Sequence, residues 1–276
     1  MYSIDFDKAK YLKTLKKIQN QNINTICIEA NCPNRYECFS KNTATFLVLG
    51  KTCTRNCKYC NVKKGLVGET FDDEAENILN SIEQMNLNYV VLTQVTRDDL
   101  EDSGASYIAN LITMIKNKFP EVFVEVLISD LKGNLNDLKT ILDAKPDVLN
   151  HNIEVVERLF PTLREKGSYD WSLKILKATK NIDPYIKVKS GMMVGLSENF
   201  VEIKKTFEDL KECGVDIVTV GQYLRPNKEC EKVLKMYEEH EYEKIINLGN
   251  EIGFSKTIAG KYVRSSYNAK ELFNEN

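Results

Sequence analysis

The chain has 276 residues, 42% hydrophobic and 28% charged, with a formal net charge of −2. That balance offers no basic surface for nucleic acid or an anionic membrane, and no apolar run approaches the ~20 residues of a membrane span. The opening stretch, MYSIDFDKAKYLKTLKK, lacks the apolar centre of a signal peptide, so a cytoplasmic protein is expected.

The length suits one barrel-like α/β domain with terminal extensions. Residues 5–20 carry Phe6, Tyr11, Leu12, Leu15 and Ile18 on roughly one helical face. Residues 21–43 are polar, rich in cysteine and without clear periodicity, which predicts loop with short helical turns. Apolar or β-branched runs then recur at 44–49, 88–93, 122–127, 147–150, 186–194 and 215–220. Helix-like stretches near 72–85, 104–118, 134–143, 153–160 with 170–180, and 198–212 separate them. Such alternation predicts a parallel sheet with crossover helices. Six strands would make a partial (β/α)6 barrel, whose functional loops sit at the strand carboxyl ends. Helical patterning resumes over 229–253, and 254–276 form a terminal segment with a short apolar start. The expected division is 1–43 as an N-terminal extension, 44–228 as the partial barrel and 229–276 as a C-terminal extension, folded as one unit.

Six of the eight cysteines fall between positions 27 and 60. In a reducing compartment so dense a set points to metal rather than disulfides. Cys53, Cys57 and Cys60 follow the first strand in a C-x3-C-x2-C spacing. Three thiolates can hold three irons of a [4Fe–4S] cubane and leave the fourth open to a small molecule. A zinc knuckle on Cys57 and Cys60 would need a second cysteine pair or a histidine cluster, and the only histidines are His151 and His240. The spacing, with Tyr59 before the last cysteine, resembles the radical S-adenosylmethionine (SAM) superfamily. The resemblance implies that the open iron binds the amino and carboxylate groups of SAM, and that an electron from the cluster cleaves it to a 5′-deoxyadenosyl radical. It places Tyr59 near the adenine, although Tyr59 could equally be apolar filler of the loop.

Cys27, Cys32 and Cys38 form a second triad with C-x4-C-x5-C spacing. Spacing alone leaves open a second cluster, a structural zinc site or one shared site. The order Cys-x-Glu-Ala-x-Cys-Pro-Asn-x-x-Glu-Cys, then Thr43-Ala-Thr-Phe46, Leu49-Gly50 and Cys-Thr-Arg-x-Cys, resembles the lipoyl synthase family. Similarity continues through Asp98-Asp-Leu100, Gly104-Ala105, His151-Asn-Ile-Glu154, Lys189-Ser-Gly191 and Gly221-Gln-Tyr-Leu224. It ends on Val263-Arg-Ser-Ser-Tyr267, so the match spans about residues 27–269.

The resemblance implies two [4Fe–4S] clusters, SAM, and sulfur insertion at C6 and C8 of an octanoyl group held on a carrier-protein lysine. The carrier would be the lipoyl domain of a 2-oxoacid dehydrogenase or the glycine-cleavage H protein, with a ferredoxin- or flavodoxin-type electron donor. The second cluster would supply the sulfur, with a serine of the terminal motif as fourth ligand: Ser266, or Ser265 as the alternative. A related radical enzyme that inserts sulfur into another acceptor is the competing reading. Residues differ from the family's usual pattern after Tyr223 and at Gly195-Leu-Ser-Glu-Asn199, which bears on carrier recognition rather than cluster chemistry.

The polar strand-end residues Thr93, Asp98, Glu125, Asn152 and Lys189 are candidates for contact with SAM or substrate. Hydrogen bonding within the barrel mouth explains any one of them as well. His151 reads as a structural histidine, because abstraction of a C–H hydrogen needs no base. Cys213 and Cys230 read as non-ligands, and Met192 and Met193 as filling of the sheet.

Overall fold

A computed structural model describes residues 6–41, 43–65, 73–267 and 269; the first residue of each of the predicted helices 5–20 and 72–85, and residues 268 and 270–276 of the predicted terminal segment, lie outside them. In chain order come α1 (Lys8–Asn20), α2 (Ile26–Glu29), α3 (Arg35–Ser40), β1 (Thr45–Val48), β2 (Thr52–Cys53) and β3 (Lys63–Lys64). Then follow α4 (Glu74–Met85), β4 (Tyr89–Gln94), α5 (Ala105–Lys118), β5 (Phe123–Leu127), α6 (Leu135–Asp143) and β6 (Val148–Asn150). The chain continues with α7 (Phe160–Leu163), α8 (Tyr169–Ile182), β7 (Lys187–Val194), α9 (Phe200–Glu212), β8 (Ile217–Gln222), α10 (Glu239–Ile252) and β9 (Lys256–Gly260).

The main sheet has seven strands in the order β1-β4-β5-β6-β7-β8-β9, every pair parallel, with helices supplying the crossovers. β1 and β9 are its two edges, so the barrel stays open. Strands β1 and β8 are buried at every position. Burial on both faces is why the sequence shows apolar runs there rather than period-two alternation. Leu92, Val124, Leu149, Val188 and Val218 meet Ile108, Ile112, Ile141, Ile175 and Ile203 in one continuous core. Each such side chain contributes roughly 1.5–3 kcal/mol on burial. A smaller cluster of Ile18, Cys27, Phe39 and Ala44 holds α1 to the second-triad region, and Ile23 and Ile26 border both cores.

Two features differ from the sequence expectation. The sheet gains a seventh strand, β9, whose sequence KTIAG carries no strong strand signal. Its register on β8, from Ile217↔Lys256 to Gly221↔Gly260, is set by the neighbour rather than by local preference. Residues 231–238 are also not helical, and α10 begins only at Glu239. Their backbone donors are taken sideways: Glu231 N bonds Lys58 O, Leu234 N bonds Gly195 O and Tyr237 N bonds Gln222 Oε1. Lateral bonds of this kind remove the donors a helix would need. The helix starts where Glu238 and Glu241 form reciprocal cap bonds.

Candidate active site

One cavity of about 370 Å³ collects all six clustered cysteines. The first triad is delivered by the loop that leaves β1. Leu49 and Gly50 both have positive φ, and the Glu74 carboxylate accepts from their amides at 2.9 and 3.1 Å, fixing the turn. Cys53 sits in the two-residue ribbon β2–β3, and Cys60 N returns to Cys57 O at 3.2 Å. Thr54 Oγ1 donates to Thr96 O and accepts from Asp98 N, each at 3.0 Å, so the loop is stitched to the end of β4.

Arg55 completes that attachment. Its guanidinium bonds Asp98 through Nε and Nη2 at 2.8 and 3.0 Å, and Asp130 through Nη1 and Nη2 at 2.6 and 2.7 Å. Burial opposes the charge on Asp130, but the Arg55 bonds outweigh it and hold its carboxyl below the usual range. Lys58 N bonds Leu163 O at 2.8 Å, and the buried Arg164 bonds the carbonyls of Asn152 and Ile153 at 2.9 and 3.3 Å. Arg164 and Glu154 both line the cavity beside Tyr59.

The second triad comes from α2 and α3. Thr25 caps α2, Cys32 N bonds Cys27 O at 3.1 Å, and Cys38 lies within α3. The terminal segment closes over it: Asn34 Nδ2 donates to Tyr262 O at 2.6 Å, and Tyr267 Oη donates to Glu37 at 3.0 Å. Arg264, Ser265 and Ser266 thereby reach the cavity wall.

All eight cysteines are free thiols. Burial pushes the Cys27 thiol up to about 11 and the Cys38 and Cys60 thiols up to about 12. Within each triad the thiols also raise one another: Cys32 acts on Cys27, Cys27 and Cys32 on Cys38, and Cys57 and Cys53 on Cys60. Each triad thus gathers thiols that would repel one another once ionised, an arrangement that bound cations relieve by displacing protons. Among the described residues no three His, Cys, Asp or Glu side chains converge as on a single ion.

Of the residues singled out from sequence, Cys27, Cys32, Cys38, Cys53, Cys57, Cys60, Tyr59, Thr93, Asn152, Ser265 and Ser266 line the cavity together. Asp98 does not; it is bound to Arg55. Glu125 and Lys189 lie outside the lining too. They sit in mid-strand in the barrel interior as an ion pair, Nζ–Oε1 3.2 Å, each side chain 1% exposed. Tyr89 Oη and Asn150 Nδ2 donate to the same carboxylate at 2.7 and 2.9 Å. Position within the strand, not residue type, keeps the pair from the mouth. His151 is fully buried, with Nδ1 on Ile128 O at 2.9 Å, and is also away from the lining.

Arg55, Glu154, Arg164 and Arg264 were not singled out. Arg55 and Arg264 carried a signal, since each stands inside a cysteine or serine motif, and Glu154 follows Asn152 by two positions. Arg164 had none, because only the fold brings its loop to the cluster loop.

A family model of the radical SAM superfamily matches residues 47–210. The chain therefore belongs to the radical SAM superfamily. A lipoyl synthase of Caldicellulosiruptor saccharolyticus is 46% identical over 259 residues, 94% of this chain and 91% of that protein. One from Geobacillus thermodenitrificans is 46% identical over 274 residues, 99% and 92% of the respective chains. Within the superfamily, this chain belongs to the lipoyl synthase family. Among solved structures, methylornithine synthase superposes with a TM-score of 0.58 at 12% identity, covering 93% of this chain and 79% of that one. At that identity the likeness shows the shared fold.

Proposed function

We propose that this chain inserts two sulfur atoms, at C6 and C8, into an octanoyl group carried on a protein-bound lysine, forming the lipoyl group. The observation that carries the reading is the convergence of two cysteine triads and a serine pair on one cavity. Cys53, Cys57 and Cys60 would hold one [4Fe–4S] cluster with an iron open to SAM. Cys27, Cys32, Cys38 and Ser266 would hold the second. The donor set fits: two groups of three free thiols, and near them a buried Asn152 Oδ1 with no hydrogen-bond partner among the described residues. When bound, the first cluster and SAM supply the hydrogen-abstracting power and the second cluster supplies sulfur.

The chain itself binds, orients and excludes water. Tyr59, Thr93 and Asn152 face the cavity where SAM would lie. Leu47, Val95, Ile128 and Met192 offer an apolar wall suited to an eight-carbon chain. Ser265 Oγ accepts from Asn152 Nδ2 at 3.2 Å, whereas the Ser266 hydroxyl has no bonded partner among the described residues. That difference favours Ser266 as the ligand. Residues 1–43 are read as the auxiliary-cluster extension, 44–228 as the barrel and 229–276 as the segment that completes the second site. The carrier is a lipoyl domain or glycine-cleavage H protein, the electron donor a ferredoxin or flavodoxin, and the compartment the cytoplasm. Among the described residues no helix is long and apolar enough to cross a membrane.

The test is anaerobic reconstitution with iron and sulfide, then addition of reductant, SAM and an octanoyl-lysine peptide. Expected are a mass gain of two sulfurs and release of 5′-deoxyadenosine. Deoxyadenosine without thiolated peptide would redirect the reading to another acceptor.

A further inference from the structure

Both cysteine loops are tied to one strap, the segment that follows β8. Asn61, the residue after Cys60, donates from Nδ2 to Glu29 O at 2.8 Å, and its Oδ1 accepts from Asn227 Nδ2. Pro226, beside Asn227, accepts from Asn31 Nδ2 at 3.1 Å. Glu29 and Asn31 both stand between Cys27 and Cys32, so these bonds close a ring through three segments remote in sequence. Asn31 has φ +50°, a conformation asparagine tolerates better than most residues. Asn31, Asn61 and Pro226 also line the cavity between the triads.

The strap is braced independently. Glu231 N donates to Lys58 O at 2.9 Å, and the buried Cys230 thiol donates to Cys60 O at 3.5 Å. Arg225 Nε donates to Cys230 O and Tyr223 Oη to Glu231 O, both at 2.8 Å. One side of the ring is therefore fixed to the first-triad loop and the other to the second-triad loop. Among the described residues, Asn61 alone bonds both the strap and the second-triad segment.

We propose that Asn61 is a positioning residue whose amide, closed into a ring with Asn31 and Asn227, sets the Cys27–Cys32 segment at a fixed distance from the Cys57–Cys60 loop. The inference rests on the sulfur-insertion reading. Each insertion would break one C–H bond, the hydrogen atom leaving in 5′-deoxyadenosine. It would form one C–S bond to a sulfide given up by the second cluster, whose iron would take the one electron left over, so one abstraction must be followed by one capture. The carbon activated beside the first triad has to lie within reach of the second. Reactions between held partners are steeply sensitive to position, and an ångström of misplacement can cost on the order of 10²-fold. A loosened ring lets abstraction proceed while capture fails.

The experiment compares reconstituted wild type with Asn61→Ala, Asn31→Ala and Asn227→Ala. It reads deoxyadenosine released per sulfur inserted, and the electron-spin relaxation that each reduced cluster imposes on the other. Expected is a ratio raised about tenfold in Asn61→Ala, well within what small misplacement can produce, with altered relaxation and a smaller change in the other two variants. Should Asn61→Ala fail to load clusters, Asn31→Ala and Asn227→Ala, whose side chains lie at the surface, carry the test by the same two readouts. A lower melting temperature with unchanged ratio and relaxation in all loaded variants overturns the inference, since a purely structural role predicts that outcome. A wild type that releases deoxyadenosine and thiolates nothing overturns the proposed function, and the inference with it.

Discussion

Arg55 and Asp130 form a two-pronged ion pair at 2.6 and 2.7 Å, with side chains 3% and 0% exposed. Arg55 lies between two cysteines of the first triad, and Asp130 follows β5. With the Thr54 bonds and the Arg55–Asp98 bonds, the pair fastens the cluster loop to the sheet. Removing one partner strands the other charge in a buried place, a loss of about 3–5 kcal/mol. Arg55→Ala should therefore lower the unfolding free energy of the metal-free chain by that amount in urea titration. Arg55→Lys keeps the charge but cannot form both forked bonds, and should fall between. An Arg55→Ala chain with wild-type stability would show that the loop is held by its Thr54 bonds instead.

Gly221 offers a sharper separation of the two cluster sites. A Cβ placed there would stand 2.2 Å from Val263 O and 3.0 Å from Arg264 Nη1. A backbone carbonyl cannot step aside as a flexible side chain can, so the terminal segment must move. Gly221→Ala should thus displace Ser265 and Ser266 while leaving Cys53, Cys57 and Cys60 untouched. After reconstitution both clusters should still load on their cysteine triads, while sulfur insertion falls and SAM cleavage continues, as for loss of the serine ligand alone. Equal loss of both clusters would mean that the substitution disturbs the barrel generally.

The strands were readable from sequence because parallel strands buried on both faces leave unbroken apolar runs. The cysteine triads stood out in the sequence because each lies on one contiguous segment. β9 was hidden, since its pairing with β8 and not its composition makes it a strand. Glu125 and Lys189 looked like mouth residues because one-dimensional patterning does not tell mid-strand interior from strand end. Arg164 and the Asn61 ring were beyond reach for a related reason: their partners are brought together only by the folded chain.

His151 ties stability to pH. Burial, with Arg164 adding, lowers its folded pKa from 6.5 to about 4. Below pH 6.5 the unfolded chain therefore binds a proton that the folded chain refuses. Stability from this group is fully present above about pH 6.5 and declines as the pH falls toward 4, by at most about 3 kcal/mol. The other histidine, His240, is exposed. Urea unfolding of the metal-free chain between pH 7 and 4, wild type against His151→Asn, isolates the effect from the carboxylates that titrate in both. The wild-type curve should be the steeper. Parallel curves would show that His151 is protonated in the folded chain.

The two terminal serines make opposite predictions. Ser265 is engaged by Asn152, while Ser266 faces the cavity with no bonded partner among the described residues. Ser266→Ala should leave the second cluster one protein ligand short, with sulfur insertion lost while SAM cleavage continues at the first. Ser265→Ala frees Asn152 Nδ2 and should weaken insertion only severalfold, the scale of one hydrogen bond of about 1 kcal/mol. Ser266→Cys gives a softer ligand that holds iron more firmly. If the oxygen ligand serves release of an iron during sulfur transfer, that variant should load both clusters and still fail to thiolate the peptide. Normal turnover by Ser266→Cys would show that the hardness of the ligand is immaterial, and a Ser265→Ala defect as deep as that of Ser266→Ala would move the ligand assignment to Ser265.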